Sequence, residues 1–146
     1  MMKKSISIIC VIIAVISLLA VPVSAEENST YSSIFFCSYD SAIYVEGRTL
    51  EIWFDVVGNG GMDEIGVSCI TLERSSNGSS WSTVKTFYPE DYPQMICYDT
   101  GIAYDYVTYT GSSGYYYRAY VTYYAKNSRG RGNAYQYSET VYMPAP

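Results

Sequence analysis

The 146-residue chain contains no histidine. That absence removes Ser-His-Asp and Cys-His catalysis in their usual form, together with imidazole-ligated metal sites. Basic residues are scarce too, with nine Lys and Arg against fourteen Asp and Glu. Two of the nine, Lys3 and Lys4, sit at the extreme N-terminus, so the rest of the chain carries seven against fourteen. An acidic surface of that kind argues against nucleic acid and against anionic membrane as partners. No stretch follows the 3.6-residue periodicity of a helix, and only one long apolar run exists, over residues 6–21. No Asp-x-Asp-x-Asp-Gly pattern is present, so adjacent acids such as Asp63-Glu64 and Glu90-Asp91 read as solvated loop charges rather than a calcium site. The reading therefore expects no metal, no cofactor and no catalytic residue of a familiar type.

Cysteines are few. Cys10 lies inside the apolar run, which leaves Cys37, Cys69 and Cys97. Three allow at most one internal disulfide, whose pairing spacing cannot choose. The alternative is three small, buried apolar side chains.

The N-terminus has the organisation of a secretory signal. Met1-Met2-Lys3-Lys4 supplies a basic start, residues 6–21 an apolar core, and Val23-Ser24-Ala25 the small-x-small ending. The run is short for a membrane span of roughly 20 residues, which favours cleavage after Ala25 over an uncleaved anchor. Ile9 precedes Cys10 where a lipid-attachment signal needs a small residue, and the C-terminal Met-Pro-Ala-Pro carries no sorting signal. The expectation is a signal peptide over 1–25, a flexible polar N-terminus over 26–32 and one β domain over 33–143, released outside the cell. Removing 25 residues from 146 leaves 121, enough for one domain with a real core.

Alternation and punctuation predict the strands. Leu50, Ile52, Phe54 and Val56 alternate with Glu51, Trp53, Asp55 and Val57, and Gly58-Asn59-Gly60-Gly61 then predicts a break. Further strands are expected at 33–38, 65–74, 81–88, 95–98, 102–110, 115–125 and 134–142. Asn77-Gly78 marks a hairpin turn, and Pro89 and Pro93 mark a loop. Asp99-Thr100-Gly101 matches the core triplet of aspartic proteases, but it occurs once and reads as a turn or a kink. Seven or eight short antiparallel strands point to an all-β sandwich, with a small barrel as the alternative.

Two stretches carry a resemblance. "ITLERSSNGSSWSTVKTF", residues 70–87, resembles the central hairpin of fibronectin type III and related immunoglobulin-like sandwiches. "GYYYRAYVTYYAKNSRG" resembles their penultimate strand. With the signal peptide, the order is also similar to a family of small secreted proteins of Gram-positive (Firmicutes) gut bacteria that has no assigned function. The resemblance covers residues 65–139 and departs from a regular module in the tyrosines after Arg118 and in the Pro89–Pro93 loop. It implies fold and localisation, and transfers no catalytic or binding residue.

The most distinctive feature is tyrosine, eighteen of them, all beyond residue 25. On the 115–125 strand, alternation assigns Tyr115, Tyr117, Ala119, Val121, Tyr123 and Ala125 to the core. It leaves Tyr116, Arg118, Tyr120, Tyr124 and Lys126 on the other face, three rings interleaved with two cations. Those five are the candidate ligand-binding residues, a flat platform on which rings stack on sugars or partner side chains while the cations catch acidic groups. Tyr135 and Tyr137 extend it if the last strand pairs alongside. The bland alternative is a solvated strand whose rings lie over cross-strand neighbours. The functional expectation is a secreted, non-catalytic binding module for a glycan or protein at a cell or host surface. Edge-to-edge self-assembly is the alternative, and a carboxylate-based hydrolase ranks last.

Overall fold

The computed structural model describes residues 34–146. The expected signal segment, the 26–32 stretch and residue 33 lie outside the described residues. The remainder is antiparallel β, as the alternation predicts. Seven strands follow one another: β1 (Phe36–Glu46), β2 (Thr49–Ser75), β3 (Ser82–Phe87), β4 (Ile96–Thr110), β5 (Tyr115–Asn127), β6 (Gly130–Tyr137) and β7 (Val141–Met143). A single 3-10 turn, Pro93–Met95, precedes β4.

All seven belong to one sheet centred on β2, which is 27 residues long. The first half of β2 pairs with β1 on one side and β4 on the other. Its second half pairs with β5, and β3 also joins it there. Beyond β5 lie β6 and, further along the strand, β7. The two halves face each other. Tyr39 of β1 packs on Tyr123 of β5, ring centroids 4.8 Å apart, although the two strands are not hydrogen-bonded neighbours.

The predicted break at residues 58–61 does not occur. The glycines make an irregularity inside β2 instead, and the pairing with β4 shifts between Val57 and Met62. Gly60 has φ +98°, and a side chain at Gly58 would press on Met62, Gly60 and Ile65. β4 bends at the matching point, where Asp99 has φ 52° and a Cβ on Gly101 would meet the Gly60 carbonyl oxygen at 3.0 Å. The expected strands at 95–98 and 102–110 are thus one strand with a kink, and Asp99-Thr100-Gly101 is that kink. Bulges of this kind bend a strand without ending its pairing.

Other boundaries move for local reasons. β1 begins at Phe36 and runs on to Glu46, because Gly47 (φ +61°) and Arg48 close a tight turn onto Thr49. The expected last strand is divided at Ser138. Its hydroxyl accepts the Ala119 N–H at 2.9 Å and its N–H donates to the Ala119 carbonyl at 2.8 Å. One side chain takes the place of a ladder partner, and pairing resumes at Tyr115–Tyr117 with β7. The Asn77-Gly78 turn is as expected, with Asn77 Oδ1 accepting the Ser79 and Ser80 N–H groups at 2.8 and 2.9 Å.

The core lies between the halves. It contains Leu50, Ile52, Phe54, Val56, Ile70 and Leu72 of β2 and Tyr117, Ala119, Val121, Tyr123 and Ala125 of β5. Each large apolar side chain buried there contributes about 1.5–3 kcal/mol. Tyrosine can serve in this layer because its hydroxyls are satisfied. Tyr117 Oη accepts the Ser112 N–H at 2.8 Å and donates to the Ser112 carbonyl at 3.2 Å, while Tyr123 Oη donates to Gln136 Oε1 at 3.0 Å. Tyr115, expected in the core, is half-buried and lies under the Arg74 guanidinium, 4.3 Å from its ring centroid.

Gly66 is the tightest backbone approach. A Cβ there would overlap the Met95 carbonyl oxygen. Gly66→Ala is expected to cost about 3 kcal/mol of stability, since neither backbone segment can yield without losing its pairing. A urea midpoint equal to that of the parent protein would show that the Met95 turn is free to move.

Candidate functional site

The five predicted residues lie on β5, with β6 and β7 paired beside it. β6 does pair beside β5, with Tyr137 opposite Tyr120 and Tyr135 opposite Thr122. Tyr120 therefore lies between two rings, 4.7 Å from Tyr137 and 6.1 Å from Tyr135, the latter nearly parallel at 13°. Tyr116 packs on Tyr142 of β7 at 4.9 Å. All three predicted rings, Tyr116, Tyr120 and Tyr124, are half-buried. The rings that reach solvent are Tyr135, Tyr137 and Tyr142, which are 44%, 47% and 48% exposed.

The two cations are not free to catch acidic groups. Glu73 and Glu64 stand on β2 directly opposite Arg118 and Lys126. Arg118 Nε donates to Glu73 Oε2 at 2.6 Å, and its guanidinium is held between Trp81 at 4.2 Å and Tyr137 at 4.3 Å. Lys126 Nζ donates to Glu64 Oε1 at 3.2 Å, which holds the ammonium above the usual lysine range. The face is thus a row of rings, running Trp81, Arg118, Tyr137, Tyr120, Tyr135, in which Arg118 and Lys126 each have a carboxylate partner, while Arg131, opposite Lys126 at the far end, is in no ion pair among the described residues. At its far end Tyr124 and Lys126 border a shallow hollow of about 320 Å³ with Gly130 and Arg131.

The phenols on and under this face are pushed in one direction. Burial, followed by the neighbouring Tyr135 and Tyr137, raises Tyr120. Burial, followed by the Glu64 carboxylate, raises Tyr124. Burial also raises Tyr123 beneath them.

Cys37, Cys69 and Cys97 are all free thiols, so the described residues contain no disulfide. They are not the alternative of three buried side chains either: Cys37 is exposed, and Cys69 and Cys97 are half-buried. Burial, then Asp105, raises the Cys97 thiol above its usual range. Among the described residues no group of three or more His, Cys, Asp or Glu side chains could hold a metal ion. Ser82 and Lys85 stand at the Ser-x-x-Lys spacing of a nucleophile and its base. On β3, however, the Lys85 ammonium lies over Phe87 and Tyr92, 5.7 and 5.9 Å from the ring centroids.

Sequence reasoning centred on the densest tyrosine strand missed the rings elsewhere. Tyr44, Tyr98 and Tyr104 are 59%, 68% and 62% exposed. The signal for some of them was available. The alternation that buries Leu50, Ile52 and Phe54 puts Glu51, Trp53 and Asp55 outward, and Tyr104 and Tyr106 share one face by the same period. Comparison of the chain with family models, curated proteins and solved structures returns no match.

A phenol raised in the folded state holds its proton more tightly there than in the unfolded chain. Its contribution to stability is complete below the unfolded value near about pH 10 and is lost as pH rises through the folded value. The melting temperature should therefore fall as pH rises above about 10, and Tyr123→Phe should make the fall shallower. A Tyr123→Phe protein with the same alkaline slope as the parent would remove Tyr123 as its source.

Proposed function

We propose that the protein is a secreted, non-catalytic binding module, and that its contact surface is the aromatic row of β5 and β6. The observation that supports this is the pairing of the row's central cations. Glu73 and Glu64 pair with Arg118 and Lys126, leaving Tyr135 and Tyr137 as half-exposed rings on the outer face of the sheet. A surface of that kind suits a neutral, hydroxyl-rich ring such as a pyranose, which stacks on a phenol and exchanges hydrogen bonds at its rim. The row thereby shifts from the predicted Tyr116, Tyr120 and Tyr124 to Tyr120, Tyr135 and Tyr137.

The fold type in this proposal is an immunoglobulin-like or fibronectin type III-like sandwich. Strand pairing supports it. β1, the first half of β2 and β4 correspond to strands A, B and E, while β3, the second half of β2, β5 and β6 correspond to C′, C, F and G. Tyr117 supports it as well, because a tyrosine near the start of strand F that bonds back to the preceding corner is a mark of such sandwiches. Export rests on the basic start, apolar run and small-x-small ending of residues 1–25, and kinship with the small secreted Gram-positive proteins on the sequence resemblance. Edge-to-edge assembly has less support. β4 pairs only with β2, and Asp105 on its inner side of the strand is the kind of charge that discourages a further strand from adding.

The test is a glycan array on residues 26–146, with Tyr135→Ala/Tyr137→Ala as the paired variant. Loss of both rings should weaken glycan binding about tenfold or more, at about 1 kcal/mol for each stacked ring. Full binding by a correctly folded double variant would reject the row as the contact surface.

A further inference from the structure

The opposite outer face carries a different kind of site. There β1, the first half of β2 and β4 lie side by side, with Trp53 in the middle strand. Trp53 has Ala42 opposite it on β1 and Tyr106 opposite it on β4. Because Ala42 is small, a groove of about 430 Å³ opens over it. Its aromatic walls are Tyr44, Trp53 and Tyr104, and its acids are Asp40, Glu51 and Asp55. Tyr106 stacks behind Trp53, centroids 4.3 Å apart, and Tyr104 flanks it at 5.1 Å. Trp53 Nε1 donates to Glu51 Oε2 at 3.0 Å, which fixes the indole in place.

Three features of this groove point to a cation. First, Asp40 and Asp55 are directly opposed across the strands, a like-charge arrangement that disfavours pairing. Second, nothing neutralises them. The ion pairs among the described residues are Arg118–Glu73 and Lys126–Glu64, and no lysine or arginine lines the groove. Third, indole and phenol faces attract cations, most strongly on Trp. The other outer face has the same residue types, yet there each central cation has its carboxylate across the strand. Here the carboxylates and rings are present without the cation.

The polar groups narrow the choice. Ionised carboxylates only accept hydrogen bonds, so the best ligand is rich in N–H donors. A quaternary ammonium has none, and a neutral sugar brings as many acceptors as donors. A guanidinium has five donors in a plane that also stacks on an indole. We propose that this groove binds an arginine side chain of a partner polypeptide, with the guanidinium against Trp53 and its N–H groups donating to Asp40 and Asp55. The site is independent of the aromatic row on the other sheet half, and either can fail without the other.

The experiment is proton–nitrogen NMR of the labelled protein titrated with a short glycine peptide carrying one central arginine. Parallel titrations use the lysine peptide, tetramethylammonium, calcium chloride and a neutral oligosaccharide. The arginine peptide should shift the backbone of Ala42 and Tyr104 and the Trp53 indole N–H, and should bind several-fold more tightly than the lysine peptide. Asp40→Asn/Asp55→Asn should weaken it about tenfold while the rest of the spectrum stays in place. Added salt should weaken binding as well. Three results would overturn the proposal: shifts confined to the Tyr120–Tyr137 face, equal affinity in the double variant, or tighter binding of tetramethylammonium, calcium or the oligosaccharide.

Discussion

β2 has to belong to both halves of the sheet, and the rest of the structure is arranged around that requirement. A strand of 27 residues cannot stay straight and still pair with β1 at one end and β5 at the other around one shared core. The glycines at 58, 60 and 61 supply the bend, and β4 supplies a matching one at Asp99 and Gly101, where the two backbones come close. The bend also fixes which residues face inward. Before it, Leu50 to Val56 are buried at even positions; after it the phase is reset, and a second shift between Val67 and Cys69 resets it again for Ile70 and Leu72. Each shift turns the apolar side of the strand back toward the same core, which a uniform alternation over such a length would not do.

Tyrosine is used in three distinct ways on this frame, and the difference lies in what its hydroxyl meets. Tyr117 and Tyr123 are completely buried and bond to the Ser112 backbone and to Gln136. They act as large core residues that also tie a corner and a neighbouring strand. Tyr116 and Tyr120 are half-buried and pack on rings one strand away. Tyr104, Tyr135 and Tyr137 have one side supported and the other open to solvent. A count of tyrosines is therefore a poor guide to a binding surface. Exposure and the partner behind each ring decide it.

Much of this could be read from the chain. The inward set on β5 follows from alternation, and only Tyr115 departs from it, because it lies at the strand start beneath Arg74. The Asn77-Gly78 turn follows from its residue types. The glycine cluster at 58–61 was legible as an interruption but not as a bulge, since glycine permits both outcomes and the choice depends on whether β1 and β4 hold the strand in place. The division at Ser138 was illegible for a similar reason: a serine hydroxyl replaces a backbone partner only when register brings Ala119 opposite it. The state of the platform cations was hidden because Glu73 and Glu64 lie some 45 and 62 positions before their partners. Only the pairing of β2 with β5 brings them together.

That pairing also explains why the two outer faces, built from similar residues, differ in chemistry. Where β2 crosses beside β5, its acids fall opposite Arg118 and Lys126, and charge is cancelled within the sheet. Where β2 crosses beside β1, its acids fall opposite Asp40 and Tyr44, and no cation is supplied. The same strand thus gives a ring surface whose central cations are paired on one half and an anionic aromatic groove on the other. Moving β1 by one residue would bury Asp40 and expose Ile43, so the apolar core holds the two acids in opposition despite their repulsion. The cost of that opposition is carried by the hydrophobic layer beneath it, where Phe54 and Ile52 are almost completely buried.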